Sequence, residues 1–313
     1  MNAPQLTIGV SIALSGMLAT LLFASAAQAG LARWQPERVR GELQARIRSW
    51  WWIAGAFAFV AMLSREVTIA LVAFTSFAAL REYFSIIPMR RCDRRVLAWA
   101  YAAIPVQFLW AAIGWYGMFM VFIPVCLFLL LPMRTALNGE TRGFLHAAGA
   151  LHWGLMTCVF SLSHAAYLLA LPAHVNPAGG NLGLLLYLAL LTALNDVAQY
   201  CAGKLLGQRK VVPRVSPGKT VEGLLGGIAV TTALATTLAP LLTPFSPIES
   251  LGAGLLVALA GFLGDVVVSA LKRDLGLKDS GTAIPGHGGV LDRVDSLTMT
   301  APLFFHYLYY LHY

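Results

Sequence analysis

GDVVVSALKRDLGLKDSGTAIPGHGGVLDRVDS, residues 264–296, is the polar stretch against which the rest of this chain is read. It begins inside one apolar run and ends where another starts. It carries Asp265, Asp274, Asp279, Asp292 and Asp295, four basic residues (Lys272, Arg273, Lys278, Arg293) and the glycine-rich His287-Gly288-Gly289. Only 12% of the chain is charged and 58% is hydrophobic, at a mean hydropathy of +0.71. In such a chain a polar cluster this dense is either solvated loop or chemistry, because ionised groups at membrane depth are unfavourable. Apolar runs on both sides predict an all-α fold: a polytopic transmembrane helical bundle with its polar site near one membrane face.

Working outward, the runs long enough or nearly long enough to cross about 30 Å of hydrocarbon fall near residues 6–27, 51–64, 67–80, 96–116, 118–132, 145–171, 182–194, 223–242, 251–271 and 297–311. Several are short, and the second and third also read as one tilted or broken pair, so about 8–10 spans are expected. With ten spans, 21 of the 22 Lys and Arg residues fall on one face, and only Arg65 lies opposite. The positive-inside rule makes that face cytoplasmic. The net charge of +8 is thereby explained by membrane loops, and no nucleic-acid partner is expected. Ala27-Gln28-Ala29 resembles a signal-peptidase site. The first five residues carry no Lys or Arg, however, and Arg33 onward reads as a cytoplasmic anchor, so a retained first span is expected. Cys92, Cys126, Cys158 and Cys201 show no CxxC spacing, which predicts neither a disulfide framework nor a zinc site. Two regions result: residues 1–194, spans with short basic loops, and residues 195–313, spans with two longer polar loops, 195–222 and 272–296.

The first polar segment reads NDVAQYCAGKLLGQRKVVPRVSPGKTVEGLLGG, residues 195–227. If the preceding helix continues, Asp196, Tyr200 and Gly203 share a face, and Gly203, Lys204 and Gly207 form a close-approach surface with a cation. A helix end with a basic interface anchor is an equal reading. Gly218-Lys219-Thr220 is not a P-loop, because the required first glycine is Pro213 and no strand precedes it. Ser216 or Thr220 as N-cap, with Glu222 in the first turn, gives a helix start. That start is also a ready anion site.

In the second polar segment, Asp265, Ser269 and Lys272 are spaced i, i+4, i+7 on one helical face. Asp265 is either a capped or salt-bridged aspartate or, as an intramembrane carboxylate, a functional group. Lys272-Arg273 alone would read as a membrane-edge anchor, and His287 alone as a loop histidine. Pro285–Gly289 exposes backbone suited to lying against phosphates. Asp295 or Ser296 is a plausible N-cap for the last span, which leaves Asp292 as the stronger metal ligand. Asp265 and Asp292 flank a loop that can fold back, so they are expected to share a hard, oxygen-preferring cation such as Mg²⁺. Lys and Arg would neutralise the remaining charge of a phosphoryl or nucleotidyl transfer.

The motif S-x-x-K-R, four residues, K-D-x-G, then P-G-H-G-G-x-x-D-R-x-D is met by Ser269, Lys272-Arg273, Lys278-Asp279, Gly281, Pro285 to Gly289, Asp292-Arg293 and Asp295. A second block, D-x-x-x-Y-x-x-G-[KR]-x-x-G and S-P-x-K-T-x-x-G, is met by Asp196, Tyr200, Gly203-Lys204, Gly207 and Ser216 to Gly223. On these motifs the chain resembles the phosphatidate cytidylyltransferase (CDP-diacylglycerol synthase) family over about its last 120 residues. The resemblance implies transfer of the cytidylyl group of CTP to phosphatidic acid, in a helical membrane bundle that is often a dimer. It implies Mg²⁺, with K⁺ as a second candidate cation, at Asp265 and Asp292. It also implies a catalytic set of Asp265, Asp292, Lys272 and Arg293. Substrate contacts are implied at Asp196, Tyr200, Ser216, Lys219, Ser269, Arg273, Lys278, His287, Gly288 and Gly289. One position departs: Val268 stands where the family usually has an acidic residue before the signature serine. That leaves two alternatives open, a different lipid phosphate as acceptor or a catalytically inactive regulatory partner.

Overall fold

The computed structural model describes residues 6–34, 47, 51, 54–56, 58–281 and 289–313. Among these, the regular structure is helical apart from one antiparallel bridge between Lys210 and Thr220. Eight helices are long and apolar enough to cross a membrane: α1 (Ile8–Trp34), α2 (Arg65–Ile86), α3 (Arg94–Ile113), α4 (Tyr116–Ala136), α5 (Phe144–Ala170), α6 (Gly180–Leu206), α7 (Val221–Leu242) and α8 (Pro247–Asp274). A short α9 (Leu291–Val294) leads into α10 (Leu297–His312), whose 16 residues fall just below spanning length. Residues 54–56 and 58–62 are helical where the second expected span lies. The expected all-α, multi-pass bundle is therefore observed, with eight spanning helices among the described residues.

Local chemistry sets the helix starts. Ser64 caps α2 through the Val67 amide (3.4 Å), and Thr220 caps α7 through the Gly223 amide (3.0 Å). Ser246 and Glu249 form a capping box on α8, with Pro247 in the first turn. Large apolar side chains such as Phe23, Phe74, Leu129, Leu145 and Ile248 point outward. In water such a surface would drive association; facing lipid, it is what a bundle of spans requires.

The buried side chains form two clusters. One is built chiefly by α1, α6, α7, α8 and α10, through Tyr187, Leu191, Ala235, Val257 and Phe304. The other is built by α2 to α5 and is closed by Val268 of α8 with Leu291 and Val294 of α9. Helix α8 belongs to both: Ala253 and Val257 of its first half pack in one cluster and Val268 of its second half in the other, with Asp265 between these two stretches. Two close approaches fix the neighbours. A Cβ at Gly223 would lie 2.8 Å from the Gln199 carbonyl oxygen, so α7 meets α6 backbone to backbone. A Cβ at Gly264 would lie 2.6 Å from the Asp295 carbonyl oxygen, so α8 lies directly against the turn before α10.

Candidate active site

Helix α6 does continue, to Leu206, so the polar loop begins at Gly207 and Asp196 lies inside the helix. Asp196 is partly buried, and the Ser296 hydroxyl lies 3.1 and 3.0 Å from its two oxygens. Tyr200, one turn on, is exposed at the rim. The loop that follows doubles back as a short hairpin. The Val211 amide donates to Lys219 O (3.1 Å) and the Val221 amide to Arg209 O (2.9 Å). The Glu222 carboxylate holds its base by accepting the Gln208 amide (2.9 Å) and the Arg209 amide (3.2 Å). The tip is turned by the Lys219 amide donating to Ser216 O (3.2 Å).

This hairpin delivers Lys219 to α8. Its ammonium lies 2.7 Å from Asp265 Oδ2 and 4.7 Å from the centre of the Phe262 ring. The Ser269 hydroxyl donates to Asp265 Oδ1 at 3.0 Å, which verifies the i, i+4 face read from the sequence. Together these residues wall a cavity of about 480 Å³, lined by Asp196, Gln199, Tyr200, Lys204, Lys210, Ser216, Lys219, Phe262 and Asp265 among others. The two sequence blocks thus meet in one place. Lys210 and Gln199 were not singled out from the sequence, because neither stands in a motif.

A second polar group lies two turns further along α8, toward its C-terminal end. The Lys272 ammonium pairs with Asp292 Oδ1 at 2.7 Å. Asp292 Oδ2 accepts the amides of Ser280 (2.9 Å) and Gly289 (3.0 Å). Burial pushes the Asp292 carboxyl up, but the Lys272 hydrogen bond and the two amides outweigh it and hold the group below the ordinary carboxylate range. Arg273 ties the two loops together, donating to Val215 O (3.2 Å) and Leu277 O (3.0 Å). Lys278 and Arg293 are exposed. His287 and Gly288 lie outside the described residues.

Asp295, read from sequence as a cap, has a different setting. Its Oδ1 accepts the Ser296 amide at 2.7 Å, but no side-chain bond caps α10. Burial, then the negative charges of Asp265 and Asp196, push its carboxyl up to about 8. The carboxylates that feel one another are therefore Asp196, Asp265 and Asp295, while Asp292 is engaged with Lys272 and the loop amides. An all-oxygen donor set with mutually repelling charges fits a hard divalent cation, which would offset that repulsion. Lys219 and Ser296 stand among these carboxylates, and among the described residues no three acidic, His or Cys side chains are drawn together closely enough to form a ready metal cluster. Glu82 of α2 also reaches this region, through Ser280, Val290 and Leu291. Its partners lie about 200 positions away, so the local sequence gave no sign of it beyond an acidic residue at the end of an apolar run.

Fold and cavity define a class: a multi-pass helical membrane protein whose polar site is assembled from two C-terminal segments. The model of the Cytidylyltransferase family matches residues 44–311, and the chain belongs to that family. It is 46% identical over 297 residues to YnbB of Escherichia coli (strain K12), covering 95% of this chain and 97% of that protein. It is 44% identical over 128 residues to the phosphatidate cytidylyltransferase of Bacillus subtilis (strain 168), covering 40% of this chain and 45% of that enzyme. The phosphatidate cytidylyltransferase of Haemophilus influenzae (strain ATCC 51907 / DSM 11121 / KW20 / Rd) is 42% identical over 136 residues, covering 41% and 46%. The chain thus matches less than half the length of these two enzymes. The family resemblance read from the motifs is borne out.

Proposed function

We propose that this chain is a CTP-dependent nucleotidyltransferase that converts phosphatidic acid to CDP-diacylglycerol and pyrophosphate, a step of phospholipid biosynthesis. The observation that carries the reading is the 2.7 Å contact between Lys219 and Asp265, which joins the two signature blocks across one cavity. In the reaction a lipid phosphate oxygen attacks the α-phosphorus of CTP. The bond to the pyrophosphate oxygen breaks, and pyrophosphate leaves with the electron pair. Charge on the phosphate oxygens must be met by fixed positive groups. Lys219, Lys204 and Lys210 line the cavity from the nucleotide side in this reading.

Asp265 and Asp292 are assigned to Mg²⁺, with Asp295 as a further carboxylate facing Asp265 and K⁺ as a candidate second cation. When bound, the metal would supply charge neutralisation at the transferring phosphate. Lys272 and Arg293 complete the catalytic set. Asp196, Tyr200, Ser216, Ser269, Arg273, Lys278, His287, Gly288 and Gly289 are assigned to the substrates together with Lys219. The protein would reside in the cell inner membrane with its signature loops toward the cytoplasm, as the Lys and Arg distribution supports, and a homodimer is the assembly proposed. Residues 1–194 would serve the bilayer and residues 195–313 the chemistry. Helix α6 crosses that boundary, so the division is one of role.

A second reading keeps the chemistry and changes the acceptor to another lipid phosphate. Val268 and the short match to the two named enzymes, 40% and 41% of this chain, favour it. One assay separates the readings: transfer of label from α-³²P-CTP into lipid by the purified protein with Mg²⁺, given phosphatidic acid alone or total lipid extract. Label with phosphatidic acid, lost in Asp265→Asn, supports the first reading. Label only with total extract supports the second. No label with either removes both.

A further inference from the structure

Glu82 lies one turn before the end of α2, in the half of the chain that carries no signature motif, and its side chain is buried. Its carboxylate accepts the Ser280 hydroxyl, the Val290 amide (2.7 Å) and the Leu291 amide (3.3 Å). Gly281 and Gly289 let the backbone close around it: a Cβ at Gly281 would lie 3.0 Å from Glu82 Cδ, and one at Gly289 would overlap Oε1. No salt bridge to Glu82 occurs among the described residues, so hydrogen-bond donors from the loop carry its satisfaction. A buried carboxylate held this way is unfavourable unless its donors stay in place.

The same short segments serve Asp292. Ser280 gives its hydroxyl to Glu82 and its amide to Asp292 (2.9 Å); Gly289 gives its amide to Asp292 (3.0 Å), and the next two amides go to Glu82. Two carboxylates from helices far apart in sequence thus clamp the chain on either side of residues 282–288. One of them, Asp292, is in turn held by Lys272 of α8.

We propose that Glu82 is a positioning residue: a clasp from the N-terminal half that fixes Gly289–Asp292, and so the place of Asp292 against Lys272 and of the following Asp295 near Asp265. The proposal rests on the cytidylyl-transfer reading for its catalytic consequence, but the clasp is physical and is testable without turnover. Glu82→Gln keeps the shape, replaces one acceptor oxygen by a donor facing amide N–H groups, and removes the charge. Hydrogen–deuterium exchange of the full-length protein in nanodiscs reads the clasp directly. Exchange of the Val290 and Leu291 amides should quicken at least about tenfold, with α6 unchanged, because a lost hydrogen bond frees those amides. Turnover from CTP should then fall about 100-fold in kcat, as misplaced reacting groups do, with the KM for CTP changed less than about threefold. Ser280→Ala, which removes only a hydroxyl, should move both readouts in the same direction by less, and it decides the matter if Glu82→Gln does not insert.

Unchanged exchange in the folded variants overturns the clasp. Faster exchange with unchanged kcat overturns the positioning role, and so does a rise in KM alone. Wild-type protein that labels no lipid from CTP overturns the reaction reading and the catalytic half of this proposal, while the exchange result still decides the clasp.

Discussion

Asp265 receives Lys219 from one loop and Ser269 from its own helix, so it is the residue on which both signature blocks depend. Asp265→Asn keeps the volume and removes the charge. CTP-dependent lipid labelling should fall at least about 1,000-fold, in line with loss of a main electrostatic group, while the protein still elutes as a folded particle. Retained activity would dismiss Asp265 from the chemistry. Asp292 offers a pH test. Its carboxyl is held low in the folded state by Lys272 and two amides against the opposing effect of burial. A depressed group adds stability above its unfolded pKa, about 3.9, and that stability is lost as pH falls through the folded value. In metal-free protein the thermal midpoint should therefore drop as the pH is taken below about 4. In Asp292→Asn that acid-side drop should be smaller, and the midpoint at neutral pH lower. Equal acid limbs for both proteins would show that the Lys272 pair contributes nothing.

At the scale of elements, the hairpin between α6 and α7 is what carries Lys219 to α8. Its end is fixed by Thr220, the cap of α7. Thr220→Ala should lower stability by about 1 kcal/mol and raise the KM for CTP more than it lowers kcat, because Lys219 is the neighbouring residue. An unchanged KM would detach the hairpin from nucleotide binding. Gly264 is the matching constraint on α8, where a side chain would meet Asp295 O at 2.6 Å. Gly264→Ala should be destabilising by about 1–3 kcal/mol, as overpacking is, and should separate Asp265 from Asp295. Wild-type stability and turnover in that variant would mean the two elements have slack that the close approach denies.

At the scale of the whole molecule, the charge pattern and the helices together predict which loops share a side. With the native Cys92, Cys126, Cys158 and Cys201 replaced by serine, Gln208→Cys should react with an impermeant maleimide only from the cytoplasmic face of oriented vesicles. Ala178→Cys, between α5 and α6, should react only from the other face. Labelling of both from one face would reverse the count of spans between them. The two apolar clusters carry a further consequence. Because α8 belongs to both, and Glu82 enters from α2, the C-terminal region is not expected to keep its site when residues 1–194 are removed.

The sequence by itself determined the helical membrane class, a helix start for α7 capped by Ser216 or Thr220, the shared face of Asp265 and Ser269, and the family. These depend on hydropathy, on residues three or four positions apart, and on motifs written contiguously in the chain. Only the tertiary structure decided how the acidic residues divide. Asp292, read from sequence as the stronger metal ligand, is occupied by Lys272 and two amides, and Asp295, read with Ser296 as a candidate cap, feels the charges of Asp265 and Asp196. It also extended α6 past Asp196, and it brought in Glu82 from α2. Each of these results turns on a contact between helices separated by tens to hundreds of residues. Which carboxylate is satisfied depends on the donors that packing delivers, and local spacing contains no record of them.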